Sequence, residues 1–205
     1  MIPGNSLNLL APTGTYIAPD DILRENLLED FELGSATLND PTGGLRQTTW
    51  RAYANEKNIY VSKLSGGSPT LVTTTSIIPN EINLAFDSNM RPQIAYVETV
   101  DETSVVKFYW YDTLIGGFTT TTYSDIYSPR LCLDDKRDLE SAARDILFFY
   151  IKKGETEKLC YRQQRDRYTI ERELMDVPEY TVKLGRTGMS NINRVQIEFR
   201  IKKPK

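Results

Sequence analysis

The side chains that could do chemistry in this 205-residue chain are carboxylates, two thiols and a set of aromatic rings; histidine is absent. Without an imidazole there is no Ser-His-Asp or Cys-His machinery, no HExxH zinc site and no histidine proton shuttle. Cys132 and Cys160 are the only cysteines, too few for a thiolate zinc site within one chain, and they are expected as buried core thiols rather than a disulfide. Adjacent acids occur at Asp20-Asp21, Asp101-Glu102 and Asp134-Asp135. Hydrolysis of a glycosidic bond needs two carboxyls facing each other across a cleft, which neighbours in sequence do not supply. Asp87 and Asp134 fall in equivalent turns and are expected to bond their own backbone rather than hold Ca²⁺. Neither GxxxxGK[ST], GxGxxG nor GxSxG occurs, so no phosphate loop or nucleophile elbow is indicated. Tyr109, Trp110, Tyr111 and Tyr123 could stack on sugars or bases; packing within the protein accounts for them more simply. The expectation is a protein without catalytic residues, cofactor or metal.

The elements around these residues are strands. Thr and Tyr number 21 and 12 and suit pleated, half-buried surfaces. Turns rich in Gly and Pro, at Pro41-Thr42-Gly43-Gly44, Gly66-Gly67-Ser68-Pro69 and Gly116-Gly117, cut the chain into short pieces. The pieces repeat. Ile82 to Asp87 is echoed by Pro129 to Asp134, Ile94 to Val97 by Ile146 to Ile151, Val105 to Asp112 by Lys158 to Asp166, and Phe118 to Thr122 by Tyr168 to Arg172. An earlier unit fits the same frame through Trp50 to Tyr53, Asn58 to Leu64 and Leu71 to Thr75. The result is three units, roughly 31–78, 79–125 and 126–177, with four antiparallel strands each, the spacing of a β-propeller blade. In each later unit the second strand is almost wholly apolar, as a strand buried on both faces must be. The third alternates, with Val106, Phe108 and Trp110 on one face, and the Thr-rich fourth suits an outer edge.

The flanks differ. Residues 1–30 read as an extended arm followed by one short helix over 20–30, with an N-cap candidate at Asp20 and acidic residues in its first turn. Residues 178–205 read as a β-hairpin or strand segment. Tyr180 to Gly185 alternates, Arg186 to Asn193 is a loop, and Asn193 to Ile201 sets Val195, Ile197, Phe199 and Ile201 against Arg194, Gln196, Glu198 and Arg200. That last strand completes the first unit or pairs with a neighbour. Charge is polarised: residues 1–129 carry 7 basic and 15 acidic side chains, residues 130–205 carry 18 and 13. Such a chain can associate head to tail. The formal net charge of −3 argues against sequence-specific nucleic-acid binding, although Lys202, Lys203 and Lys205 could touch a phosphate backbone. No apolar run is long enough for a membrane-spanning helix, and the N-terminal residues lack the basic and apolar regions of a signal peptide.

The unit built from a hydrophobic-Asp turn, Arg91-Pro92, Ile94-Ala95-Tyr96 and Lys107-Phe108-Tyr109-Trp110 resembles blades of propeller-containing proteins. Together with the Pro/Gly-rich arm and the alternating C-terminal strand, residues 31–177 look like a tailed-bacteriophage virion protein, most similar to tail-tube or nozzle components of short-tailed phages. The resemblance implies a structural component of the tail or head–tail junction, a ring of copies in contact with other virion proteins, and localisation in a virion assembled in the host cytoplasm. It implies no catalytic residues. Trp50, Trp110, Phe118 and Phe199 are the packing candidates, Arg194 and Arg200 the interface candidates. The alternative is a glycan-binding, lectin-like β module.

Overall fold

The computed structural model describes residues 29–33, 49–63, 67–87, 89, 91–135, 144–189 and 195–202. They form a mainly β protein of fourteen strands among the described residues. β1 (Glu29–Leu33), β2 (Thr49–Asn55), β3 (Asn58–Lys63) and β4 (Thr70–Thr74) make one antiparallel meander. A second contains β5 (Glu81–Phe86), β6 (Pro92–Val100), β7 (Thr103–Asp112) and β8 (Gly117–Tyr123). The third contains β9 (Ile126–Asp135), β10 (Arg144–Lys152), β11 (Lys158–Gln163) and β12 (Arg172–Asp176). β13 (Thr181–Met189) and β14 (Val195–Ile201) pair as a two-stranded hairpin.

The turns follow from backbone chemistry. β6 and β7 are joined by Asp101 and Glu102, both at positive φ (47° and 65°). A two-residue hairpin turn of this kind matches the right-handed twist of the flanking strands.

Burial decides how the sheets sit. Alternate residues of a strand face opposite sides, and the apolar clusters divide accordingly. Ala52, Ala54, Ile59 and Val61 of the first sheet pack on Ile82, Leu84, Phe86, Ile94 and Tyr96 of the second. The other face of the second sheet, through Ala95, Val106, Phe108 and Trp110, packs on Ile146, Phe148, Tyr150 and Cys160 of the third. The reverse side of β10, with Leu147, Phe149 and Ile151, packs with Leu159 and Cys132 under Leu184, Ile197 and Phe199 of the hairpin. The sheets are therefore stacked face to face. β6 and β10 are buried on both sides, which is why they read as continuous apolar runs. Cys132 and Cys160 belong to opposite faces of the third sheet and are buried thiols not joined in a disulfide.

Several expectations need correction. Residues 20–28 of the predicted helix lie outside the described residues, but Glu29 and Asp30 belong to β1 and pair with Tyr53 and Ala52. β1 gives the first sheet its own fourth strand, so the C-terminal strand does not complete that unit. The predicted loop 186–193 is strand as far as Met189, because Thr187, Gly188 and Met189 pair with Ile197, Gln196 and Val195 across two register shifts. In the third unit the last strand starts at Arg172, not Tyr168. A 3₁₀ turn over Gln164–Asp166 is followed by Arg167 and Tyr168 in the left-handed region (φ 52° and 56°), which turns Tyr168 into the core.

Candidate functional site

The first strands of the sheets lie side by side: β1 contacts β5, β5 contacts β9 and β9 contacts β13. Along this seam, polar side chains cross from one sheet to the next. Asn83 of β5 accepts a hydrogen bond from the Leu131 amide of β9. Forty-seven positions later in the repeat, Arg130 of β9 repeats the act. Its guanidinium donates to the Gly185 carbonyl and to that of Leu184 (2.7 Å) on β13, to its neighbouring Pro129 carbonyl (2.6 Å), and back to the Glu81 carboxylate of β5. Ser128, in the frame position of Glu81, accepts from the Leu184 amide (2.7 Å).

A local irregularity permits this. Ser128 and Pro129 together stand opposite the single residue Tyr150, between the pairs Arg130–Phe149 and Tyr127–Ile151. Such a bulge re-aims side chains and is one of the few strand positions that accepts proline. Ser128 takes φ 54° there. The signal in sequence is a polar residue at the same place in two echoed strands, Asn83 between Ile82 and Leu84 and Arg130 between Pro129 and Leu131. Both lie inside the echoed segments Ile82 to Asp87 and Pro129 to Asp134, where the repetition stands out rather than the polar residue within it.

Between the second and third sheets, one end of the interface is closed by arginine–carboxylate pairs. Asp112 receives Arg167 through Nε (2.9 Å) and Nη2 (2.6 Å), and caps its own turn through the Leu114 amide (2.9 Å). The bonds from Arg167 hold its carboxyl below the ordinary value, against the opposing effect of burial. Asp145 pairs with Arg165. Asp87 accepts from the amides of Asn89 (2.8 Å) and Arg91 (3.0 Å) and from Arg91 Nε (2.6 Å), the backbone-bonding role expected of it. The side chains of Asp134 and Asp135 lie outside the described residues. Tyr168 sits inside this end. Its ring is edge-on to Phe108 (4.7 Å) and Trp110 (5.1 Å), and its hydroxyl donates to Gln93.

A second polar knot lies at the other end of the same two sheets. Glu171 accepts from Tyr150 (2.7 Å), from Arg162 (3.2 Å) and from Lys152. Burial raises its carboxyl, but the bonds from Lys152 and Tyr150 more than offset this, and it ionises below the usual range. Burial and the Glu171 bond push the Tyr150 hydroxyl up. Arginine and lysine side chains bind these carboxylates, which fix turns and sheet ends. Asp101 and Glu102 are exposed. Among the described residues no three His, Cys, Asp or Glu side chains converge as a metal ligand set. No helix among them is long and apolar enough to cross a membrane.

The residues singled out in sequence fall in different places. Trp50 packs on Phe86 (5.1 Å) between the first two sheets, with Lys63 over its ring (5.2 Å). Trp110 is buried between the second and third sheets and donates to Thr121 Oγ1 (3.1 Å). Phe199 covers the third sheet from β14. Phe118, on the edge strand β8, is 40% exposed. It stacks on Tyr109 (4.8 Å) and meets Tyr111 edge-on (5.2 Å), and the Arg91 guanidinium lies 3.8 Å over Tyr111. Arg200 projects outward beside Glu198 (3.8 Å). Arg194 lies outside the described residues.

Comparison of the chain with family models, with curated proteins and with solved structures finds no match.

Proposed function

We propose that the chain is a structural component of a bacteriophage virion, at the tail or head–tail junction, whose sheets act as propeller-like blades and whose copies associate in a ring. The observation that carries this reading is the stack itself. Three four-stranded meanders and a hairpin pack face to face with their first strands adjacent, the order in which blades follow one another around an axis. A stack of this kind has two terminal faces, and association of copies is one way to cover them. The polarity of charge along the chain supports head-to-tail contact. The phage context rests on the resemblance of residues 31–177 and on the Pro/Gly-rich arm.

The test is the mass of the native particle by light scattering. A ring of copies is expected, six or twelve supporting the reading most directly; a single chain at micromolar concentration overturns it. The lectin-like alternative has one specific observation in its favour, the exposed ring of Phe118 stacked on Tyr109. Binding on a glycan array that is lost in Phe118→Ala would favour that alternative; an array without hits would count against it.

A further inference from the structure

The hairpin is only two strands wide, yet it covers a sheet of four. β13 lies against β9 and β10, and Ile197 and Phe199 of β14 reach the middle of the third sheet. Beyond β14 the sheet continues as a shelf. Its floor holds Tyr161, with the Arg172 guanidinium over the ring (5.7 Å), the half-buried Val177, and Met175, which is cross-strand partner to the buried Leu159 but 49% exposed. The side wall of the shelf is the outer edge of β14. The two edges of the hairpin are not equivalent. On β13 the backbone is engaged by Ser128 and Arg130; among the described residues β14 pairs with β13 alone. A strand edge beside an apolar floor is a template for strand addition.

The geometry points to this shelf as the dock for an extended strand, and we assign its occupant to the N-terminal arm of a second copy, with residues 4–11 pairing along β14. Three features of the arm fit. Residues 1–19 contain no charged side chain, so none would be desolvated on the apolar floor. The stretch Gly4 to Ala11 between Pro3 and Pro12 retains every backbone donor and matches in length the 7 residues of β14. Leu7 and Leu9 alternate with Asn8, which puts two leucines on one face of a strand.

The choice of a second copy rests on the head-to-tail reading above. The arm leads into β1 of the first sheet, and the hairpin stands at the opposite end of the stack. Its own shelf lies three sheet spacings away, about 30 Å, a distance residues 12–28 could cover only by running extended along the whole stack, whereas a head-to-tail contact brings one copy's first sheet against the next copy's hairpin.

The experiment uses three full-length variants, each compared with the native chain by light scattering and thermal melting. Leu7→Asp/Leu9→Asp breaks the arm. Met175→Asp alters the floor, and Ile201→Asp, at a position 54% exposed on β14, alters the wall. Each is expected to keep the native melting curve at a concentration where the native chain is also dissociated, and to have the mass of one chain where the native chain assembles. An equimolar mixture of the arm variant with either shelf variant retains one intact arm and one intact shelf per pair. It is expected to form a two-chain species. Assembly unchanged by the arm variant, or by both shelf variants, overturns the shelf assignment and leaves the ring reading standing. Failure of the mixture to pair overturns docking between copies. A native chain that is itself monomeric overturns both readings.

Discussion

Replacing Arg130 by Met tests whether the seam holds the hairpin on the third sheet. The side chain is nearly buried, at 11% exposure, against 25% for its partner Glu81. Methionine fills a similar stem volume and removes every donor. The carbonyls of Leu184 and Gly185 then lose their side-chain partner, and each buried polar group left unsatisfied costs about 1–3 kcal/mol. Removing one member of a buried ion pair costs about 3–5 kcal/mol when the other charge stays dry. Glu81 is exposed enough for water to recover its carboxylate, so the carbonyls carry most of the loss and about 3–5 kcal/mol is expected in all. For a chain of 150–250 residues each kcal/mol lowers the melting temperature by about 2–4 °C, which gives a fall of roughly 6–20 °C. Urea unfolding followed by tryptophan fluorescence measures the free energy. Amide exchange then locates the loss, which should be greatest in β13 and β14. Glu81→Gln keeps an oxygen for Arg130 and should cost only about 1 kcal/mol. A loss below about 1 kcal/mol for Arg130→Met, or exchange no faster in the hairpin than elsewhere, would refute the seam as the clamp.

Further outcomes follow from the ends of the second and third sheets. Tyr168→Ala should cost about 3–5 kcal/mol, because the ring fills the space between Phe108 and Trp110. Tyr168→Phe, which removes only the donor to Gln93, should cost about 1–2 kcal/mol; equal losses for the two in urea melts would deny the ring its packing role. Asp112 is held below the ordinary carboxylate value by Arg167, so its stabilisation is complete above about pH 4 and disappears as pH falls through the lower folded-state value. Arg167→Gln should therefore move the midpoint of acid unfolding, followed by circular dichroism, to higher pH; an unchanged midpoint would contradict the pairing. Burial pushes the Cys160 thiol up to about 11 and Cys132 is buried too. Neither should react with a thiol reagent at pH 8 in the folded protein, and both should react in urea.

What the sequence made legible depended on the distance over which each structural cause acts. β6 and β10 were readable because burial on both faces leaves few polar residues in the run. The buried Val106, Phe108 and Trp110 were readable because one face of β7 is covered. Asp87 was readable because its bonds reach only two and four residues along the chain. The misreadings have the opposite character. Glu29 and Asp30 fall at the end of the run read as a helix, but pairing with β2 places them in a strand. Tyr168 looks like an edge-strand residue until the two left-handed residues turn it inward. The work of Arg130 depends on Glu81 and on Leu184 and Gly185, which lie 49 to 55 positions away, and no local pattern announces partners so remote. The same remoteness hid the shelf, which exists only because a two-stranded hairpin meets a four-stranded sheet.

The meander topology also has a kinetic consequence. Each four-stranded sheet is made wholly of neighbours in sequence, and the second sheet passes to the third through only Ser124 and Asp125. A chain emerging from the ribosome can therefore complete one sheet before the next has been synthesised, since every pairing within a sheet joins consecutive strands. The order of synthesis is then the order of stacking, and each new sheet meets an apolar face already formed to receive it.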